Sequence, residues 1–175
     1  MLLSQLIFGA MAIELDEIDV ALLTQLQQDA DRTNLELAAL VGLSPAATLH
    51  RVRRLKETGA IRLIAAHVDA ELLGFPLNVF VAVTTTGARA TQRFEQIVRE
   101  LPQIVVADVV AGEMDYWLTV VARDLSDLEH VLTKLATHGG QRVITYLRLK
   151  QLKAPAPLPV RAGPVARPRT PRRRP

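Results

Sequence analysis

The sequence predicts an α+β protein built from two dissimilar domains and a basic tail. Up to residue 58 apolar residues recur at helical spacing, and from residue 77 stretches typical of strands alternate with helical ones. The chain has 175 residues, 49% of them hydrophobic, which is enough for two small cores. It has no cysteine, so disulfides, thiolate nucleophiles and cysteine-ligated metals are excluded. Its apolar runs are too short to cross a bilayer, so we expect a cytoplasmic protein with no membrane partner.

The two ends of the chain differ from the rest in composition. Residues 154–175 hold six of the 21 Lys and Arg residues, none of the 18 Asp and Glu residues and seven of the ten prolines. Prolines prevent regular structure and like charges repel, so we expect a disordered tail. The tail either adds nonspecific attraction for phosphate or only aids solubility. Residues 1–12 lack the basic flank of a signal peptide and are expected to be a frayed extension.

Three helices are predicted in close succession, each with its own start signal. Asp16 can cap the first helix, and Thr33 with Glu36 forms a capping-box pattern at the start of the second. Gly42 is suited to end that helix, and Ser44, followed by a proline, can cap the third. A short helix, a turn with glycine and a further helix form the helix-turn-helix geometry, in which the later helix enters the DNA major groove.

The third predicted helix has a basic exposed face. Its first positions are small enough for close approach to base edges, and its cations can contact guanine or phosphate oxygens. The alternative is a basic helix face that only contacts solvent. The predicted DNA-binding residues are Ser44, Ala46, Ala47, His50, Arg51, Arg53, Arg54 and Lys56.

After this helix the spacing of the apolar residues changes to a period of two. Alternation at Ile61, Leu63 and Ala65 predicts a short strand, which makes the domain over residues 13–67 a winged helix-turn-helix. Residues 68–76 contain Gly74 and Pro76 and are predicted to be a linker.

The second domain, over residues 77–153, is predicted to be ferredoxin-like. Strands are expected over 77–85, 104–110, 116–122 and 141–152, and helices over 91–101 and 125–137. This βαββαβ order is typical of a four-stranded antiparallel sheet with both helices on one face. Apolar residues of the strands supply more surface than one helical layer would cover, so we expect the other face to be buried in at least a homodimer. These residues are Phe80, Ala82, Val106, Trp117, Leu118 and Tyr146.

Several motifs occur together at ordered spacing. Residues 15–19 are LDEID, residues 43–61 begin LSP and contain RVRRL, residues 68–74 are VDAELLG, and residues 112–116 are GEMDY. With these motifs the chain closely resembles the Lrp/AsnC, or feast/famine, family of transcriptional regulators over about residues 13–153. The resemblance implies sequence-specific binding to double-stranded DNA. It also implies a C-terminal RAM domain, for regulation of amino-acid metabolism, which holds an amino acid or related effector between subunits and assembles dimers into larger oligomers, expected to be octamers.

The effector site implied by this resemblance combines a carboxylate with flexible glycine turns. Asp115 can accept hydrogen bonds from an ammonium group, and backbone N–H groups beside glycines can donate to a carboxylate. The alternative is that Gly112 and Asp115 only form a tight hairpin turn. The residues assigned to the site are Gly112, Glu113, Met114, Asp115, Tyr116, Thr137, Gly139 and Gly140.

An enzyme is the alternative from another class, because siroheme decarboxylases resemble this family. Such an enzyme would gather histidines and arginines around the sheet, and no such cluster is evident in the sequence. Asp16, Glu17 and Asp19 are explained by helix capping and dipole stabilisation rather than by chemistry. The four histidines lack metal-ligand spacing. We therefore expect no catalytic residues, no metal site and no cofactor.

Overall fold

The computed structural model describes residues 12–166, which form two compact units. The helical unit comprises residues 12–66 together with 155–166, and the sheet unit comprises residues 67–154. The helical unit contains β1 (Ala12–Leu15), α1 (Glu17–Gln28), α2 (Asn34–Val41), α3 (Pro45–Glu57) and β6 (Gly163–Ala166). The sheet unit contains β2 (Leu77–Thr85), α4 (Ala88–Glu100), β3 (Ile104–Val109), β4 (Tyr116–Ala122), α5 (Leu125–Thr137) and β5 (Gly140–Leu147).

The three helices of the helical unit begin at the predicted capping residues. The Asp16 side chain accepts the Asp19 N–H at 2.8 Å, and the Ser44 hydroxyl accepts an N–H from the first turn of α3 at 3.2 Å. Thr33 and Glu36 form the predicted capping box, with the Glu36 carboxylate accepting the Thr33 N–H at 2.7 Å. Such caps satisfy N–H groups that a helix start leaves free. The predicted helix-turn-helix is confirmed.

The core of the helical unit is a compact set of aliphatic side chains. Leu22 of α1, Leu37 of α2 and Leu55 of α3 are almost entirely inaccessible to solvent. Ile13 and Leu15 of β1 join them, so the strand that precedes α1 is part of the same core. The inward faces of all three helices therefore meet in one place, and this fixes the outward face of α3.

The C-terminal segment folds onto the helical unit. β6 pairs with β1 in antiparallel register, from Ala12 opposite Ala166 to Leu15 opposite Gly163. The prediction of a disordered tail is therefore wrong for residues 163–166. A strand at the edge of a two-stranded sheet needs only one partner, so a proline within it is tolerated. Residues 167–175 lie outside the described residues, as do residues 1–11 of the predicted frayed extension; Ala12 itself belongs to β1.

The strand predicted after α3 is not formed. Residues 61–66 contain no strand within the described part of the chain, and Leu63 and Ile64 are 78% and 44% exposed. Ile61 packs against the core of the helical unit, but alternation alone does not make a strand without a hydrogen-bonded neighbour. The predicted wing is therefore wrong: the sheet of this unit is the β1–β6 pair.

The sheet unit has the predicted ferredoxin-like topology. Its antiparallel strands lie in the order β3-β4-β2-β5, with α4 and α5 contributing to the core on one face. β5 ends at Leu147, five residues earlier than predicted. The core consists mainly of side chains that alternate inward along β2 and β4 together with the apolar faces of the helices. Its buried residues are Val79, Val81, Val83, Phe94, Ile97, Tyr116, Leu118, Val120, Ala122, Leu128, Val131 and Leu135.

The opposite face of this sheet carries a row of aromatic side chains. Phe80 stacks on Trp117 with ring centroids 6.0 Å apart, and Trp117 stacks on Tyr146 at 5.7 Å. Trp117 is 37% exposed and Tyr146 is 47% exposed. This face is partly apolar and partly open to solvent. Among the described residues, no helix combines the length and apolar character needed to span a membrane.

Candidate DNA-contact face and effector site

The face of α3 that carries the predicted DNA-binding residues is divided in two. Two of its arginines, Arg51 and Arg54, are half-buried. The remaining predicted residues are exposed, and we call them the contact set: Ser44, Ala46, Ala47, His50, Arg53 and Lys56. Thr48, Val52 and Leu55 are buried on the inward side of the same helix.

The two half-buried arginines bind acidic side chains at the start of α1. The Arg51 Nη1 atom lies 2.6 Å from Asp16 Oδ2 and 3.0 Å from Asp19 Oδ1. Arg54 donates through Nη2 to the other oxygen of Asp19. We call these four residues the clamp. Asp19 is fully buried, so its charge is removed from water and is compensated by both guanidinium groups.

The clamp shifts the pKa values of two of its members, Asp16 and Arg51. The hydrogen bond from Arg51 is the main reason that the pKa of Asp16 lies below its ordinary value. The same bond raises the pKa of Arg51. An opposite charge within hydrogen-bond distance favours the ionised form of each partner, so the pair remains charged at neutral pH.

The sequence alone assigns these residues to separate roles, the two acids to helix capping and the two arginines to DNA. In the structure they form one cluster. The acids are three positions apart, at the N-cap and in the first turn of α1, and the arginines are three positions apart on one face of α3. This matched spacing of opposite charges is the signal that could have predicted the clamp.

Three of the predicted effector residues, Glu113, Asp115 and Gly140, lie at one end of the sheet. Asp115 accepts the Thr85 N–H through Oδ2 at 2.8 Å, and Thr85 lies opposite Gly140 in the pairing of β2 with β5. Glu113 binds Arg142 of β5 at 2.8 Å, and both side chains are more than half exposed. This group combines carboxylates, a guanidinium and a glycine backbone at the edge of the open face. Arg142 was missed because an isolated cation in a strand carries no motif.

Three other predicted effector residues have structural contacts instead. The Tyr116 ring is buried against Phe94 at 4.7 Å, and its hydroxyl donates to Glu95 at 3.2 Å. Burial and the neighbouring Glu95 carboxylate raise the pKa of Tyr116. The Thr137 hydroxyl donates to a carbonyl of its own helix at 2.8 Å. Gly139 has φ +118° and lies against the backbone of α4.

The last two predicted effector residues lie in the loop between β3 and β4. Gly112 is exposed, with open space where a side chain would extend, and Met114 is half-buried. Two surface concavities lie elsewhere. One of about 410 Å³ is lined by the α4 residues Gln92, Glu95, Gln96, Arg99 and Glu100, and one of about 250 Å³ is lined by Lys56 and residues 61–64. Residues 12–166 contain no group of three or more metal-binding side chains.

Comparison with known proteins gives the same division of the chain. The description "AsnC-type helix-turn-helix domain" matches residues 15–56, and "Lrp/AsnC ligand binding domain" matches residues 78–158. A leucine-responsive regulatory protein of Rhizobium meliloti is 37% identical over 145 residues, covering 81% of this chain and 93% of the relative. The Bkd operon transcriptional regulator of Pseudomonas aeruginosa is 39% identical over 127 residues, covering 71% and 82%.

Solved structures agree with this assignment. A transcriptional regulator of Neisseria meningitidis in complex with L-Met superposes with a TM-score of 0.77 at 32% identity, covering 83% of this chain and 96% of that one. The Bacillus subtilis protein LrpC superposes with a TM-score of 0.75 at 27% identity, covering 82% and 100%. The two relatives and the neisserial protein are named as regulators rather than enzymes, and nothing favours the decarboxylase alternative. The chain belongs to the Lrp/AsnC family of transcriptional regulators.

Proposed function

We propose that this regulator contacts duplex DNA through the contact set on α3, while the clamp holds α3 against α1. An amino acid or a related small molecule, bound at the end of the sheet, would alter how copies of the chain assemble. The observation that carries the proposal is the division of the basic face of α3 into exposed and clamped side chains. Since the protein must share a compartment with DNA, we expect it in the cytoplasm.

The composition of the contact set suits the major groove. Ala46 and Ala47 allow the first turn of α3 to come close to base edges, and His50 follows one turn later. Arg53 and Lys56 are exposed further along the helix and can reach phosphates or guanine. Guanidinium groups already bonded to the buried Asp19 carboxylate are poorly placed to contact phosphate, so Arg51 and Arg54 would act mainly by positioning the helix.

The direct test is the salt dependence of DNA binding by an Arg53→Gln/Lys56→Gln variant. Because two side chains that bind phosphate are neutralised, the slope of log affinity against log salt is expected to become shallower by about 1.8. The matched control is Arg89→Gln/Arg93→Gln, which removes two exposed charges from α4. Equal slopes for both variants would contradict the assignment of Arg53 and Lys56.

The end of the sheet offers complementary partners for a zwitterion. The Asp115 and Glu113 carboxylates can accept from an ammonium group, and Arg142 can bind a carboxylate by exchanging its exposed ion pair with Glu113. Exposed ion pairs contribute little stability, so this exchange has a small cost. The neisserial neighbour, solved with L-Met, supports an amino acid as the ligand class.

Assembly through the open sheet face would place this site between subunits. Phe80, Trp117 and Tyr146 would be covered by a second copy, and dimers would then associate into a larger oligomer such as an octamer. A ligand that contacts both copies stabilises one arrangement over another, and such coupling is typically worth about 1–3 kcal/mol.

The effector proposal is tested with an Arg142→Gln variant and calorimetric titration of individual amino acids. We expect at least one amino acid to bind the wild type and to shift its sedimentation, and the variant to bind that ligand at least tenfold more weakly. Lys150→Gln is the control, because it removes an exposed charge beyond the end of β5. Unchanged affinity in Arg142→Gln, or no binding of any amino acid by the wild type, would refute this part of the proposal.

A further inference from the structure

We propose that residues 155–166 act as a strap that holds α1 at both of its ends and thereby sets the orientation in which α3 reads DNA. The strap would contribute to the recognition of bases without contacting DNA itself. This inference rests on the proposed DNA binding by the contact set and goes beyond it, because it assigns a positioning role to a distant segment of the chain.

The strap is bonded to the last turn of α1. The Gln27 side chain donates to the Leu158 carbonyl at 3.2 Å and accepts the Leu158 N–H at 2.6 Å. Both backbone groups of Leu158 are thereby bonded, whereas its side chain is 75% exposed. Because this contact is made through the backbone, it fixes the path of the strap at the C-terminal end of α1.

The strap also reaches the strand that precedes α1. β6 pairs with β1, and the pair nearest to the helix is Gly163 opposite Leu15. Leu15 is followed directly by Asp16, the N-cap of α1. An extended chain from Leu158 to Gly163 spans about 17 Å and α1 is about 18 Å long, so the strap runs the length of the helix.

Between these two attachments the strap packs against the core of the helical unit. Val160 is half-buried and contacts the aliphatic cluster that contains Ile13 and Leu15 of β1. Removal of its side chain from water favours the docked strap. The strap is therefore held by hydrogen bonds, by an apolar contact and by a strand pairing.

α1 in turn holds α3 through the clamp. Asp16 Oδ2 lies 2.6 Å from Arg51 Nη1. The buried Asp19 carboxylate binds both Arg51 and Arg54. These acids lie at the N-cap and in the first turn of α1, directly after the strand that the strap holds. A shift of β1 would therefore move the clamp, and with it the helix that carries the contact set.

Recognition of bases and attraction to phosphate depend on this orientation to different degrees. Side chains that read base edges must be held to within about 0.5 Å of their productive positions. Attraction between exposed cations and phosphates carries no sequence information and tolerates looser geometry. Release of the strap should therefore lower the preference for a specific duplex more than the affinity for random duplex.

The first test is a Val160→Asp variant of the full-length protein, which places a charge against the apolar core and releases the strap. The control is Leu158→Asp, which makes the same charge change at an exposed side chain of the strap. Affinity is measured for a duplex that the wild type selects from a random library and for random-sequence duplex. We expect the ratio of the two affinities to fall by about tenfold in Val160→Asp, the effect of one lost base contact, and to be retained in Leu158→Asp.

This ratio distinguishes positioning from stability. A variant that is only less stable has a smaller folded fraction, which lowers its affinity for both duplexes by the same factor. An equal loss on both duplexes in Val160→Asp would therefore overturn the inference. Circular dichroism checks that the helices of the variant are folded.

A milder variant leaves every core side chain in place. Gln27→Ala removes both hydrogen bonds to Leu158, and Gln28→Ala is the control at the neighbouring exposed position of α1. We expect the affinity ratio to fall by about threefold in Gln27→Ala and to be unchanged in Gln28→Ala. An unchanged ratio in Gln27→Ala would refute the inference, and this test does not depend on whether Val160→Asp folds.

Combination with Asp16→Asn tests whether the strap acts through the clamp. Asparagine can still cap α1 but lacks the charge that binds Arg51. If the strap positions α3 through Asp16, Gln27→Ala should lower the ratio much less in the Asp16→Asn background than in the wild type. Fully additive losses would contradict this route.

The outcomes separate this inference from the proposed function. If the wild type binds no duplex, the proposed function fails. If the wild type prefers its selected duplex and both Val160→Asp and Gln27→Ala retain that preference, the proposed function stands and the inference fails.

Discussion

The helical unit and the sheet unit hold their predicted functional residues in different ways. In the helical unit, charged motif residues bind one another: Asp19 is buried between Arg51 and Arg54, and this clamp fixes the helix that presents the contact set. In the sheet unit the core is apolar, and the motif residues bond to backbone at the sheet end or pack into the core. Charge thus positions one functional surface, and close backbone packing positions the other.

This difference shows that a sequence motif locates a functional region but does not reveal which of its side chains are exposed and available to bind a ligand. RVRRL combines one free arginine, Arg53, with two that are clamped. GEMDY similarly combines an exposed acid, Glu113, with a tyrosine buried in the core. The site residues worth mutating for function are therefore the exposed members of each motif, and the buried members report on stability.

The largest effect is expected in the sheet unit, from Gly139→Ala. A Cβ at this position would lie 2.9 Å from the Ala90 carbonyl carbon, and the φ of +118° is unfavourable for alanine. Strain and overpacking together should lower the free energy of unfolding by about 3–4 kcal/mol, measured by urea denaturation. Gly112→Ala is the control, because nothing lies within 4 Å of the position that its methyl group would occupy, and it should cost less than about 1 kcal/mol. Similar losses for both would refute the packing role of Gly139.

Removal of the buried acid should have a somewhat smaller effect in the helical unit. Asp19→Ala leaves two guanidinium groups without their shared partner, and loss of one partner of a buried pair typically costs about 3–5 kcal/mol. The Arg51 and Arg54 side chains are 27% and 41% exposed, so hydration of their guanidinium groups offsets part of this loss. We therefore expect the free energy of unfolding to fall by about 2–3 kcal/mol.

The control for this change is Glu17→Ala, an exposed acid in the same turn of α1, which should cost below about 1 kcal/mol. Duplex affinity of Asp19→Ala should also fall at temperatures where the protein is folded, because α3 is no longer held in one orientation. Wild-type stability together with wild-type DNA affinity in this variant would refute the clamp.

Local signals in the sequence were sufficient for most of the fold. Capping residues and helical periodicity located α1, α2 and α3, and β-branched alternation located β2 and β4. The wing was wrong because Leu63 and its neighbours have an alternating pattern but no strand beside them within the described residues. β6 was missed because its partner, β1, is about 150 residues away, and local composition does not reveal such a pairing.

The candidate sites were predicted less completely than the fold. The helical spacing of the sequence placed the arginines on α3. Which of them are exposed to solvent and which bind acidic side chains depends on how α1 packs against α3, and local sequence does not reveal that packing. At the sheet end, the motif identified Asp115 but not Arg142, since the loop before β4 and the start of β5 are brought together only through the pairing of β2 with both of its neighbours.

The most direct test of the central claim compares Arg53→Gln with Arg54→Gln, two substitutions of the same kind at adjacent positions. For each variant the thermal midpoint and the salt slope of duplex binding are measured. We predict that Arg53→Gln leaves the midpoint unchanged and makes the slope shallower by about 0.9, whereas Arg54→Gln lowers the midpoint by several degrees. The reverse pattern, with Arg53 required for stability and Arg54 only for the salt slope, would contradict the account.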